Sequence, residues 1–203
     1  MRYTWRMAGT RQDLRLALQR LAFNQAGYFT AAQALDLGYS YQAQKYHADS
    51  GNWLRIDRAL FRLPHWPSAP EDQWVRWTLW SEGRGVVSHE SAALVHDLGE
   101  LDPRRVHLSV PSGFRATDPA VVTHVSDLPD TDVLDRAAWR VTTPLRTVID
   151  LAAGDTTQEQ LDAAVVATLD RGLTTARRIR TRSDEAGDRA ALRIERALVT
   201  ATT

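Results

Sequence analysis

The sequence contains no cysteine, so disulfide bonds, thiolate catalysis and cysteine-ligated metal sites are excluded. Lysine is almost as scarce, because Lys45 is the single lysine in the chain. No Walker A loop is present, since the lysine that such a loop requires is missing. A nuclease motif that ends in lysine is likewise excluded from residues 67–203. We expect a protein that is not an enzyme and acts without a cofactor.

Long apolar runs are also missing. No apolar stretch reaches the length of about 18 residues that a membrane-spanning helix requires. The first residues, MRYTWRMAGTRQDLR, lack the apolar segment of a secretory signal peptide. We therefore expect a cytoplasmic protein without a membrane partner. The hydrophobic content of 43% is nevertheless sufficient for a proper core.

The net charge is zero, but the two signs are unevenly distributed. Residues 1–66 carry nine Lys/Arg and four Asp/Glu, a net of +5, and residues 67–203 carry the compensating −5. A basic head on an acidic body is typical of a DNA-binding domain joined to a domain with another role. Because the excess is modest, we expect two heads to bind DNA together.

The stretch over residues 28–63 has the element order of a winged helix-turn-helix. Thr30 is a good N-cap for a short helix, and Gly38 suits the left-handed position that ends it. Ser40 can cap a second helix that ends at Gly51. Two capped helices across a short turn that contains glycine have the helix-turn-helix spacing.

The second helix and the hairpin after it provide the residues that we expect to contact DNA. The N-terminal half of such a helix enters the major groove, where glutamine can pair with adenine and lysine with guanine or a phosphate. Alternating apolar residues over 53–63 predict a two-stranded wing, whose arginines would meet phosphates or the minor groove. The predicted contacts are Ser40, Tyr41, Gln42, Gln44 and Lys45 in the helix and Arg55, Arg58 and Arg62 in the wing. The alternative is a module used only for protein contacts, with solvated arginines.

Three prolines, Pro64, Pro67 and Pro70, predict a linker. We place the domain boundary there, with a winged helix-turn-helix DNA-binding domain over residues 1–66 and a second domain over residues 67–203. The second domain has predicted strands at 106–110, 121–125 and 139–141 and predicted helices at 71–82, 88–98, 144–153, 157–171 and 184–199. The expected fold class is α+β and mostly helical, with an N-terminal winged helix-turn-helix and a C-terminal α/β domain that has a small sheet.

Two arginine groups lie outside the predicted contacts. A basic run in the acidic body contains Arg177, Arg178, Arg180 and Arg182. It is either a solvated helix face or a second contact with an anionic partner. In the N-terminal arm, Arg2, Arg6 and Arg11 either reach a phosphate backbone or have no role.

Histidines and carboxylates are grouped in the predicted helix over 88–98. His89 and His96 are seven residues apart and share a face, with Glu90 and Asp97 nearby. A zinc site would need a tighter set, such as histidines four residues apart with a third ligand. We therefore expect no metal, and a nuclease built on these residues is a rival hypothesis.

The winged head resembles the N-terminal domain of AbiEi-type proteins, the antitoxins of type IV toxin–antitoxin systems. The similarity covers GYFT at 27–30, the cap at Ser40, GNWLRI at 51–56 and RALFRL at 58–63. The body is similar to the actinobacterial branch of the family in SHESAAL (88–94), HDLG (96–99), VHLSVP (106–111) and VTTPLRTVIDLA (141–152). Ala59 stands where family members often have glycine, and alanine disfavours a turn with positive φ.

This resemblance implies an antitoxin that neutralises a nucleotidyltransferase-like toxin encoded beside it, with direct contact between the two left open. It also implies repression of its own promoter, through binding of the head to double-stranded operator DNA with inverted repeats. The alternative is a stand-alone winged-helix transcription regulator without a toxin partner. A neighbouring reading frame that resembles a nucleotidyltransferase would favour the antitoxin.

Overall fold

A computed structural model describes residues 10–201 of the chain. The chain divides into two compact units between Trp80 and Ser81. The first unit is a winged helix-turn-helix, and the second is an α/β unit with a five-stranded sheet. The predicted fold class, α+β and mostly helical, is therefore confirmed. Within residues 10–201, no helix is long and apolar enough to cross a membrane.

Local capping determines where the helices of the first unit begin. Thr10 and Thr30 each form a reciprocal capping box, with Asp13 and Gln33 respectively. Asp13 lies in the first turn of its helix and completes the box of Thr10. Gly38 ends the second helix with φ of 108°. The elements are α1 (Arg11–Phe23), β1 (Tyr28–Thr30), α2 (Ala31–Leu37), α3 (Tyr41–Asp49), β2 (Leu54–Asp57), β3 (Leu60–Arg62) and α4 (Asp72–Trp80).

The first unit has an aromatic core beneath a three-stranded antiparallel sheet in the order β1-β3-β2. Phe29 of β1 is fully buried, and its ring centroid lies 4.9 Å from that of Trp53 and 5.7 Å from that of Phe61. Leu18 and Ala22 of α1 belong to the same buried cluster. The core therefore joins α1 to the wing, which is the hairpin of β2 and β3.

Gly27 precedes β1 and lies against the ring of Trp66. A Cβ atom at position 27 would lie 2.5 Å from Cγ of Trp66, which is closer than any real contact. The φ angle of Gly27 is also positive, at +82°. The backbone before β1 and the segment after the wing can therefore meet only because residue 27 has no side chain.

Helix α4 belongs to the first unit, although the sequence placed the boundary at the prolines before it. Arg62 of β3 pairs with Asp72 in the first turn of α4, and the two side chains are only 14% and 12% exposed. Asp72 also accepts a hydrogen bond from the backbone N–H of Ala69, at 3.1 Å. The proline segment is thus tied into the first unit, and the division between the units follows α4.

The second unit has a mixed sheet in the order β6-β5-β4-β8-β7. The pairs β4–β5 and β7–β8 are antiparallel, whereas β4–β8 and β5–β6 are parallel. The strands are β4 (Val86–Val87), β5 (Val106–Val110), β6 (Val121–Val125), β7 (Val133–Asp135) and β8 (Arg140–Thr142). The helices are α5 (His89–His96), α6 (Pro144–Ala153), α7 (Gln158–Asp170), α8 (Ala176–Glu185) and α9 (Asp188–Thr200).

The core of the second unit is aliphatic and comes mainly from its helices. Leu151 of α6, Leu161 of α7, Ile179 of α8 and Ile194 of α9 are all fully buried in one cluster. The helix predicted over 184–199 is shorter in the structure, since α8 ends at Glu185 and α9 begins at Asp188. Gly187, with φ of 101°, lies between them.

Candidate nucleic-acid interface

Helix α3 is held on the first unit by one face. Ser40 caps it, with Oγ accepting from the N–H of Ala43 at 3.2 Å. Ala43 and Ala48 pack against the aromatic core. The ring of His47 stacks on Trp53, with centroids 4.8 Å apart and an interplanar angle of 17°. The helix therefore has a fixed orientation, and its other face is free of the core.

The outward face of α3 is polar and aromatic. Tyr41 and Tyr46 are 72% and 64% exposed, and Gln42 is also exposed between them. Lys45 lies 2.5 Å from Asp49, but the two side chains are 74% and 60% exposed. A surface pair of this kind is worth about 0–1 kcal/mol, so Lys45 can exchange Asp49 for another anion at little cost. Tyr46 was not among the predicted contacts.

Gln44 does not belong to this outward face, which corrects its assignment as a DNA contact. Its side chain is 3% exposed. The Nε2 amide donates to the carbonyl oxygens of Ala31 and Tyr39, both at 3.1 Å. These bonds join the start of α2 and the turn to α3. Gln44 is therefore a structural residue of the helix-turn-helix.

The wing presents two of its three predicted arginines to solvent. Arg55 and Arg58 are exposed, and the guanidinium of Arg55 lies 5.3 Å from the ring centroid of Phe61. Asp57 Oδ1 accepts from the N–H of Arg58 at 2.6 Å and stabilises the turn. Ala59 does not adopt positive φ, and a register shift between Arg55 and Asp57 provides the local bend. Alanine is thus accommodated in the turn.

Arg62 is the third predicted wing contact, and the structure places it elsewhere. Its guanidinium lies 4.6 Å from the ring centroid of Tyr28 and pairs with Asp72. Arg62 also donates to the carbonyl oxygens of Ala26 and Pro67. All of these partners belong to the first unit, so Arg62 holds α4 and the proline segment and is not available to a phosphate.

The basic run of the second unit divides into paired and unpaired arginines. Arg180 pairs with Glu195 of α9 at 2.7 Å. Arg182 pairs with Asp132 at 2.6 Å. Arg177 and Arg178 are exposed and make no ion pair with any residue of the described range.

Within the N-terminal arm, Arg11 is exposed at the start of α1, whereas Arg2 and Arg6 lie outside the described residues.

Three histidines and a carboxylate from α5, β5 and β6 lie together in the second unit. The rings of His89 and His124 stack at 3.5 Å with an angle of 13°. His124 Nε2 lies 3.1 Å from His107 Nδ1, which in turn lies 2.7 Å from Glu90 Oε2. Thr156 Oγ1 donates to the other carboxylate oxygen of Glu90 at 3.1 Å. The sequence placed His89 near Glu90, but its local pattern could not associate them with His107 of β5 and His124 of β6.

Burial sets the charge of this histidine cluster. Burial, reinforced by the neighbouring imidazole of His124, lowers the pKa of His89 to about 3. Burial and His107 lower the pKa of His124 to about 4. Burial alone would raise the pKa of Glu90, but the hydrogen bond from His107 and other contacts lower it to about 2. At neutral pH the cluster therefore holds a carboxylate and neutral imidazoles at His89 and His124.

The cluster is not arranged as a metal site. Within residues 10–201, no group of three or more His, Asp or Glu side chains could hold a metal ion. His96 is buried, and its Nε2 lies 2.7 Å from the carbonyl oxygen of Thr142. Asp97 ends α5 in a left-handed conformation. The four residues of the nuclease hypothesis therefore do not form one site.

No protein-family model matches the chain, and no curated protein matches it. Among solved structures, the chain is similar to the crystal structure of the RV2827C protein from Mycobacterium tuberculosis, with a TM-score of 0.47 and 15% sequence identity. The match covers 95% of this chain and 82% of that chain. This similarity is too low to carry an argument about function.

We predict that Gln44→Ala destabilises the first unit by about 1–3 kcal/mol, because two buried carbonyl groups lose a donor. The matched control is Gln42→Ala, which alters an exposed glutamine of the same helix and should stay within about 0.5 kcal/mol of the unmodified protein. Urea unfolding followed by tryptophan fluorescence measures both. Equal stability of the two variants would contradict the structural role of Gln44.

Acid should destabilise the second unit. Because His89 and His124 stay neutral when folded, the unfolded chain binds more protons below the ordinary pKa of 6.5. The contribution of these two histidines to stability is therefore complete above about pH 6.5 and is lost as the pH falls towards about 4. Asp150 opposes this loss, since burial raises its pKa to about 6 and the folded chain then binds the extra proton.

His96 adds to the loss, because burial lowers its pKa as well. Each net proton that the chain takes up on unfolding is worth about 1.4 kcal/mol per pH unit, and less where water screens His124. Thermal unfolding at about pH 7 and about pH 5 measures it. The variant His124→Gln should flatten the dependence, whereas His65→Gln, an exposed residue of the first unit, should leave it unchanged. A stability that does not change with pH would refute the neutral cluster.

Proposed function

We propose that this protein binds double-stranded operator DNA through its first unit and represses its own promoter. The observation that carries the proposal is the outward face of α3, where Gln42 and Lys45 lie between exposed Tyr41 and Tyr46. These side chains combine donors for base edges with aromatic surface for thymine methyl groups and sugars. Nothing in the described part of the first unit covers this face.

The exposed arginines of the wing supply the sequence-independent part of binding. Arg55 and Arg58 lie on a short hairpin that shares the aromatic core with α3 through Trp53. Phosphate contacts of this kind position a protein on the duplex and make affinity depend on salt. With Arg62 used internally, the predicted contacts keep three exposed cations, Lys45, Arg55 and Arg58. We therefore propose that two heads bind an inverted repeat together.

Our proposal for the second unit is based on the family resemblance. We propose that the protein is an antitoxin of AbiEi type, which neutralises a nucleotidyltransferase-like toxin encoded beside it. Support comes from the sequence similarity in both units and from a second unit that has its own core. A stand-alone transcription regulator uses the same head in the same way, so the two functions differ only in what the second unit does.

We predict that Gln42→Ala, Lys45→Ala and Arg58→Ala each weaken binding to a duplex that carries the protein's own promoter, by about 1–3 kcal/mol for a good base contact. Fluorescence anisotropy at fixed salt measures the affinity. Lys45→Ala and Arg58→Ala should also reduce the salt slope if they contact phosphates. The control Arg104→Ala, an exposed arginine of the second unit, should bind normally. Unchanged affinity in all three variants would remove the head from DNA recognition.

Co-expression with the neighbouring gene tests the antitoxin proposal. We expect the unmodified chain to restore growth that the neighbouring product inhibits. The Lys45→Ala variant, expressed from a constitutive promoter, should still restore growth, because this substitution should affect only DNA binding. If no neighbouring gene is toxic, the stand-alone regulator replaces the antitoxin, and the DNA-binding proposal is unaffected.

A further inference from the structure

A cavity of about 390 Å³ lies in the second unit, beside the starts of two helices. Thr143 and Pro144, at the start of α6, form one wall. Thr174 and Arg178, which flank the Thr175 cap of α8, form another. Each helix is ten residues long, and each N-terminus carries a partial positive charge of about half a unit. Two such termini at one cavity favour an anion there.

Arg178 adds a full positive charge to this cavity. Arg178 lines it and makes no ion pair with any residue between 10 and 201. Arg182 lines it as well, but it is shared between Asp132, the acidic residue in the wall, and Glu185 of its own helix. Asp132 also accepts from Arg146 at 3.1 Å, so its carboxylate is already paired with two arginines. The charge of Arg178 is therefore left for a ligand.

Thr174 gives an independent indication of a ligand. Its side chain lines the cavity and is only 7% exposed. Its Oγ1 atom is buried and has no hydrogen-bond partner among the described residues. An unpaired buried hydroxyl costs about 1–3 kcal/mol, which a bound acceptor would recover.

The remaining wall is apolar apart from Thr131, and it is partly open to solvent. Leu134 and Leu173 are 37% and 38% exposed, and both line the cavity with Leu145. An inorganic anion would fill only a part of this volume and would leave the leucines in water. A phosphate joined to an organic group fits both the basic and the apolar side of the cavity. The phosphate would contact the arginine, and the organic group would cover the leucines.

We propose that this cavity binds a small-molecule phosphate monoester. Its phosphate accepts hydrogen bonds from Arg178, Thr174 and the first turns of α6 and α8, and its organic group packs against the leucines. Concave shape favours a small molecule over the phosphate backbone of a nucleic acid, which would need an open groove. The site goes beyond DNA binding and does not depend on it.

Isothermal titration calorimetry of the full chain with phenyl phosphate tests the site. We expect saturable binding in the millimolar range or tighter, with inorganic phosphate weaker because it lacks an apolar group. Arg178→Gln and Thr174→Val should each weaken phenyl phosphate binding about tenfold. Thr174→Ser, which keeps the hydroxyl, should retain affinity.

The matched control is Arg177→Gln, which removes an exposed arginine of the same helix that does not line the cavity and should change nothing. Thermal unfolding of each variant verifies that it folds. Absence of saturable binding, or equal binding by Arg178→Gln and Arg177→Gln, would overturn the proposal. Binding of duplex DNA that depends on Arg178, without binding of phenyl phosphate, would also overturn it and assign the basic run to nucleic acid.

Discussion

The buried amide of Gln44 determines how the helix-turn-helix presents its outer face. It joins the first residue of α2 and the residue before the Ser40 cap to the middle of α3, through two hydrogen bonds of 3.1 Å. Since this amide points inward, the helical period turns Gln42 and Lys45 outward. A side chain that was expected to contact DNA instead fixes the orientation of those that remain available.

Local signals made the head predictable. Thr30, Gly38 and Ser40 each act through neighbours within a few residues, and all three occupy the predicted cap positions. Gln44 and Arg62 were misassigned for the opposite reason, because their partners are distant in the chain or in another element. A polar side chain in a sequence does not indicate whether its partner is water, a phosphate or the protein itself.

The second unit shows the same limit more strongly. Its histidine cluster joins His89, His107 and His124 from α5, β5 and β6, so it depends on a sheet order that local patterns do not specify. Whether each arginine in the basic run is ion-paired depends on whether a carboxylate from another element is near. Arg180 forms an ion pair with Glu195, whereas Arg178 lines a cavity. The run was visible in the sequence, but its division was not.

The contact between Gly27 and Trp66 restricts how this chain can diverge. Two separate constraints act on residue 27, because its φ is positive and because the indole leaves no room for a Cβ atom. A smaller residue at position 66 would relieve the second constraint but not the first. Among homologous sequences, the glycine should therefore persist even where the tryptophan has been replaced. Position 66 should vary without a matching change at position 27.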